Sequence, residues 1–252
     1  MAIITLSQQA FDGTGELAQR ISDLLGYKLV SRDDIVEKTG QYGISKDRQD
    51  RAMSRRLGMF RRMDLGWRRY RIYSQAALTK EIRKGCLVYL GANGLVRFRD
   101  FPNVLNVQVR TGIERRIDNL MKRAEYALNR KKARDLIEKV DDREASWRNT
   151  FYSDGQTRPS EFDLVIELGQ IDMTDACELI SATMERKEYQ TTYKSLEVID
   201  LLTVAAELRA RIAMREDVVD DDIDVAVHDG VIVVKGYVRS TEDLHSIREL
   251  ID

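Results

Sequence analysis

Residues 3–35 read IITLSQQAFDGTGELAQRISDLLGYKLVSRDDI. The run Ile3–Leu6 is short, β-branched and apolar throughout, the pattern of a strand buried on both faces. A turn containing Asp12, Gly13, Thr14 and Gly15 follows. Leu17, Ile21, Leu24 and Leu25 then recur at helical spacing until Gly26 stops the helix. Tyr27–Val30 is a second apolar segment, closed by Ser31-Arg32-Asp33-Asp34. A strand, a glycine-containing turn and a helix together form the arrangement in which backbone N–H groups and a helix N-terminus cradle phosphate oxygens. Gly13, Thr14 and Gly15 are therefore candidate phosphate-binding residues. A Gly-x-Gly turn has little specificity alone, so its meaning depends on what surrounds it.

Further apolar runs lie at 86–90 (CLVYL), 104–109 (VLNVQV) and 163–168 (DLVIEL). Between them the pattern is helical, over 35–84 with interruptions at Gly40, Gly43, Gly58 and Gly66, and over 114–139. Thr174 is expected as the N-cap of a helix reaching Ile180. Short apolar strands alternating with helices predict an α/β fold, a parallel five-stranded sheet flanked by helices. The C-terminal region differs. Leu201–Met214 is amphipathic, Ile223, Val225 and Val227 alternate with polar residues, and His228-Asp229-Gly230 signals a hairpin before 231–238. Another helix begins near Ser240. The expected organisation is a domain over 1–182, a helical connector over 183–198 and a small α+β module over 199–252.

Apolar residues make up 43% of the chain and charged residues 33%, enough of both for a folded core with a solvated surface. Only two prolines occur, which argues against a long disordered linker. The net charge of −1 gives no overall attraction to nucleic acid or membrane. No 18-residue apolar run is present, and the N-terminus does not have the form of an export signal. A cytoplasmic protein is expected. Cys86 and Cys177 lie among apolar neighbours and read as reduced thiols, and with His228 and His245 the only histidines a zinc site is not expected.

Charge is unevenly distributed. Residues 48–84 contain twelve Lys/Arg against three Asp/Glu, a net of +9, and residues 200–252 contain thirteen acids against six bases, a net of −7. Such segments either complement each other, within one chain or across a dimer, or form two separately solvated faces. Arg51, Arg55, Arg62 and Arg69 form a basic stripe opposite Met53, Leu57, Phe60 and Trp67. No aromatic residues interleave on the basic side, so nucleic acid ranks lowest among its partners.

The opening 33 residues resemble the start of the cytidylate-kinase-like family, a P-loop nucleoside monophosphate kinase type. The stretches 85–117 (GCLVYLGANGLVRFRDFPNVLNVQVRTGIERRI), 141–154 (DDREASWRNTFYSD) and 161–180 (EFDLVIELGQIDMTDACELI) fit the same family in the same order. The resemblance covers about residues 1–182. It implies ATP with Mg2+ as cofactors, monophosphate contacts at Arg32 and Asp33, an arginine at Arg116 opening the lid-flanking helix, and lid arginines at Arg143 and Arg148. The departures affect chemistry. The loop cation expected by the family falls on Gly15 or Glu16, Ala10 or Phe11 stands at the first loop glycine, and Leu17 has no hydroxyl for magnesium. Phosphoryl transfer depends on positioning and charge stabilisation, so these losses predict a weakened or absent activity and weak cofactor binding.

Residues 208–251 resemble a BON domain in their helix, strand pair, Gly236-x-Val238 and Ser240. That implies a protein partner or self-association through this module. Three readings follow: a degenerate kinase-like nucleotide- or partner-binding regulator; an active ATP-dependent CMP/dCMP-type kinase drawing a cation from Arg51–Arg71 or the lid; and a structural oligomer joined by basic stripe and acidic tail.

Overall fold

A computed structural model describes residues 2–43, 65–91, 101–123, 128–151, 162–215 and 223–251. In chain order these form β1 (Ile3–Ser7), α1 (Thr14–Leu25), β2 (Lys28–Ser31), α2 (Arg32–Lys38), a 3-10 turn (Thr39–Tyr42), α3 (Leu65–Ile82), β3 (Leu87–Leu90) and β4 (Val104–Thr111). There follow α4 (Ile113–Met121), α5 (Arg130–Phe151), β5 (Leu164–Leu168), α6 (Met173–Met184), a 3-10 turn (Lys187–Tyr189), α7 (Tyr193–Met214), β6 (Asp224–His228), β7 (Val231–Lys235) and α8 (Thr241–Arg248). The described residues within 1–32, 85–98 and 103–190 form one compact unit, and those within 33–84, 99–102 and 191–252 form another.

The first unit is built on a five-stranded sheet of order β2-β3-β1-β4-β5, parallel throughout. Ile3 pairs with Leu87 on one side and Val104 on the other, which makes the N-terminal strand the central one. Ile4, Leu6, Val88, Leu105, Val107 and Ile166 form the sheet side of the main core. Leu17, Ala18 and Ile21 of α1 and Ala176, Cys177 and Ile180 of α6 complete that core. On the alternate positions Ile3, Thr5, Leu87 and Tyr89 are buried as well, as a parallel sheet requires. Gly26 ends α1 in the left-handed region (φ 65°), its N–H donating to the Ser22 carbonyl. Cys86 and Cys177 are free thiols.

Two local expectations are corrected. The region read as one helix over 114–139 contains two, α4 and α5, which pack through Ile117, Leu120, Ala133 and Ile137. Arg130 pairs with Glu114 and Asp118, and Arg134 pairs with Glu114, so the two helices run side by side. The N-cap of α6 is Asp172 rather than Thr174. The Asp172 carboxylate accepts N–H groups from Thr174 at 2.7 Å and Asp175 at 2.9 Å, a role a carboxylate in extended backbone fills two residues ahead of the threonine.

In the second unit α3 and α7 share a long contact. The helix expected from Leu201 starts eight residues earlier, at Tyr193, behind a Thr192–Ser195 capping box. The C-terminal part of α7 supplies Leu208 and Ile212 to a small core with Ile223 and Ile247, against which Ile232 and Val234 are packed. The hairpin forms as read, with His228 opposite Val231 and a turn at Asp229 (φ 50°) and Gly230 (φ 77°). The basic and acidic segments meet within this unit: Lys80 lies 2.7 Å from Glu207 and Arg83 2.7 Å from Asp200. Of the basic stripe, Arg51, Arg55 and Arg62 lie outside the described residues, as do Met53, Leu57, Phe60 and the Trp67 side chain.

Candidate functional site

The β1–α1 turn brings Gly13, Thr14 and Gly15 to the start of α1, close to the C-terminal end of the central strand. That is where ligands bind in sheets of this type. Gly13 is the N-cap of α1 at φ 91°, a conformation that excludes a side chain at little cost only for glycine. Thr14 is fully buried. Gly15 stands near the expected cation position and offers no charge. Glu16, the alternative register for that cation, forms a 2.6 Å ion pair with Arg20 one turn along α1.

Sequence reasoning missed the residue at the centre of this loop. Asp12 is only 4% exposed, and its carboxylate accepts the Gln9 N–H at 2.5 Å and the Thr14 N–H at 2.8 Å. Burial pushes its pKa up, and the hydrogen bonds with Thr14 and Gln9 and the positive charge of Arg116 oppose that shift. Two of the N–H groups in a turn of the phosphate-cradling type are therefore engaged by the loop's own anion. The only local signal was the Asp-Gly-Thr order, which permits a side chain to bond the backbone two residues on. The contact back to Gln9 spans three residues.

The loop is also fixed from outside. Three successive carbonyls each receive a side chain from β4 or α4: Ala10 from Arg116 Nε at 2.8 Å, Phe11 from Asn119 Nδ2 at 3.0 Å, and Asp12 from Thr111 Oγ1 at 2.9 Å. Phe11 adopts φ 61°, a left-handed conformation costly for a side chain. Its ring packs against the α4–α5 core, with the Arg123 guanidinium 5.3 Å from the ring centroid. The apolar contact offsets the backbone strain.

Arg116 is buried to 4% exposure and holds Asp141 of α5 through two bonds, 2.8 and 2.6 Å. It thus acts as a clamp between loop and helical hairpin. Arg143 is exposed on α5, and Arg148 belongs to the same helix with its side chain outside the described residues. Five residues apart, the two positions differ by about 140° around the helix axis, so they do not share a face. Arg32, half-buried, opens α2 at the end of the first unit's opening segment, and Asp33, exposed, begins the second.

Among the described residues, the loop itself offers a magnesium–triphosphate no cation. Gly15 contributes no cation, Leu17 has no hydroxyl, and a carboxylate already engages the Thr14 amide. Among the described residues no group of three or more His, Cys, Asp or Glu is placed to hold a metal ion. No helix there is long and apolar enough to cross a membrane.

An uncharacterised protein from Eubacterium ventriosum has a similar fold. The TM-score is 0.56 at 16% identity, over 73% of this chain and 98% of that one. A gluconokinase from Sinorhizobium meliloti aligns with a TM-score of 0.45 at 12% identity, over 76% and 97%. A shikimate kinase from Bacteroides thetaiotaomicron aligns at 0.44 and 10%, over 73% and 99%. No curated protein matches. Residues 3–170 match the cytidylate kinase-like family, two-thirds of the chain and all five strands of the parallel sheet, and the chain belongs to that family.

Proposed function

We propose that this protein is a catalytically weak or inactive member of its family, a nucleotide- or partner-binding regulator rather than an efficient kinase. The observation that supports this reading is Asp12, whose carboxylate accepts the Gln9 and Thr14 amides. An arriving phosphate meets a buried negative charge instead of free N–H donors and a cation. Loss of one preorganised charge-stabilising group costs about 10²–10³ in rate, and here the loop cation and the magnesium hydroxyl are both missing. ATP and Mg2+ bind weakly if they bind. Residues 199–252 serve as the assembly module of this reading, with Val231 at 61% and Tyr237 at 83% exposure as its apolar contact points.

The test is ATP consumption by the pure protein with CMP or dCMP and magnesium. Turnover at the level of a blank is expected. Asp12→Ser, which removes the internal anion, is expected to tighten ADP binding by calorimetry without creating turnover. Magnesium-dependent ATP consumption that is lost in Arg143→Ala would overturn the reading in favour of an active kinase.

A further inference from the structure

The second unit contains a cavity of about 1200 Å³ whose described lining residues all belong to that unit. Its walls divide by chemistry. Val204 and Leu208 of α7, Ile232 and Val234 of β7, and Leu250 and Ile251 after α8 form an apolar side. The lining also carries cations, Lys38 of α2, Lys80 of α3, Arg83 and Lys84 just beyond α3, and Arg211 of α7. The lining acids are Glu37, Glu81 and Glu207, so five positive charges face three negative ones.

Those acids are shared. Glu81, with its side chain 2% exposed, lies 2.7 Å from Lys84 Nζ and 3.5 Å from Lys38 Nζ. Glu207 lies 2.7 Å from Lys80 and 3.8 Å from Arg211, and it accepts the Tyr42 hydroxyl at 2.9 Å. Two carboxylates therefore serve Lys38, Lys80, Lys84, Arg211 and a hydroxyl, and with Glu37 and the 2.7 Å Arg83–Asp200 pair counted the basic side keeps a net of one positive charge. Half-buried Ile232 and Val234 and exposed Ile251 present apolar surface to the same space. The volume matches or exceeds that of ordinary small-molecule sites, about 300–1,000 Å³.

We propose that this cavity binds an amphipathic organic anion. Its aliphatic body lies along β7 and α7, and its carboxylate or phosphate head sits among Lys38, Lys80 and Lys84. The assignment is independent of the phosphate-loop reading, because neither the loop nor α1 contributes to it.

Calorimetry on the full chain, below the micelle concentration of each probe, tests the proposal. Octanoate, decanoate and dodecanoate are expected to bind progressively tighter, by about two- to fourfold per methylene. Dodecyl phosphate against dodecanoate identifies the preferred head, and dodecanol, with the same body and no charge, is expected to bind at least tenfold more weakly than the better anion. Lys84 is 63% exposed, so Lys84→Gln is expected to fold normally and to weaken both anions several-fold while leaving dodecanol unchanged. Ile251→Asp, at another exposed position, is expected to weaken every probe. Absence of anion binding, equal affinity for dodecanol, or unchanged affinity in both variants would each overturn the proposal.

Discussion

Single residues in the loop decide what it can do, and most of them act through partners distant in the chain. Asp12 gives the first prediction. Its folded pKa is raised above the ordinary 3.8, chiefly by burial, so the folded state holds the proton more tightly than the unfolded chain. Its contribution to stability is complete below pH 3.8 and is lost as pH rises through the raised value, the reverse of a salt-bridged carboxylate. Urea unfolding of the wild type and Asp12→Asn across that interval should show the wild type losing stability relative to the variant as pH increases. A difference that grows in the other direction would contradict the burial assignment. Asp141→Asn removes the carboxylate that Arg116 holds through two bonds and, with Asp141 partly exposed, should cost about 1–3 kcal/mol in chemical denaturation. Gly13 was legible as a turn glycine, and it stands at φ 91° ahead of α1. Asp12, Thr111, Asn119 and the inward role of Arg116 were not. Thr111, Arg116 and Asn119 act through contacts 99–108 positions apart, which nothing in local spacing records, whereas Asp12 engages amides two and three residues away.

Secondary-structure elements were read most reliably where burial is uniform. Each strand of the parallel sheet is a short apolar run, and each of the five runs singled out forms a strand. The hairpin was legible because its turn requires positive φ and the chain supplies Asp229-Gly230 there. The break between α4 and α5 has no glycine or proline in 122–129 (KRAEYALN); its local signal is Asn129, whose Oδ1 accepts the Lys132 N–H at 2.9 Å. The chain turns because Arg130 and Arg134 find Glu114 and Asp118 and because Ile117 and Leu120 find Ala133 and Ile137, all of them tertiary gains. The start of α7 was also missed, its signal being a capping box that opens at Thr192, nine residues before the amphipathic stretch. Thr192 Oγ1 accepts the Ser195 N–H at 3.1 Å, and Ser195 Oγ accepts the Thr192 N–H at 2.8 Å. Thr192→Ala should destabilise the second unit by about 1 kcal/mol. Hydrogen exchange should locate the loss in the first turn of α7, and protection unchanged there would contradict the cap.

At the scale of the whole molecule, the sheet order makes burial fall from centre to edge, and stability should follow it. Leu6 of the central strand is fully buried, whereas Val165 of the edge strand β5 is 44% exposed. Leu6→Ala should cost about 2–5 kcal/mol and Val165→Ala about 1 kcal/mol or less, read from denaturation midpoints. Equal costs would contradict the strand order. The same order has a consequence for synthesis. The strand made first, Ile3–Ser7, is flanked by strands encoded at 87–90 and 104–111, so its two ladders of peptide groups remain open while about a hundred further residues are translated. At about 5–20 residues per second this exposure lasts roughly 5–20 s, during which an apolar segment with two bare edges is available to other nascent chains. A ribosome-bound holdase that shields this strand until residues 104–111 emerge should therefore raise the yield of folded protein more than one acting after release.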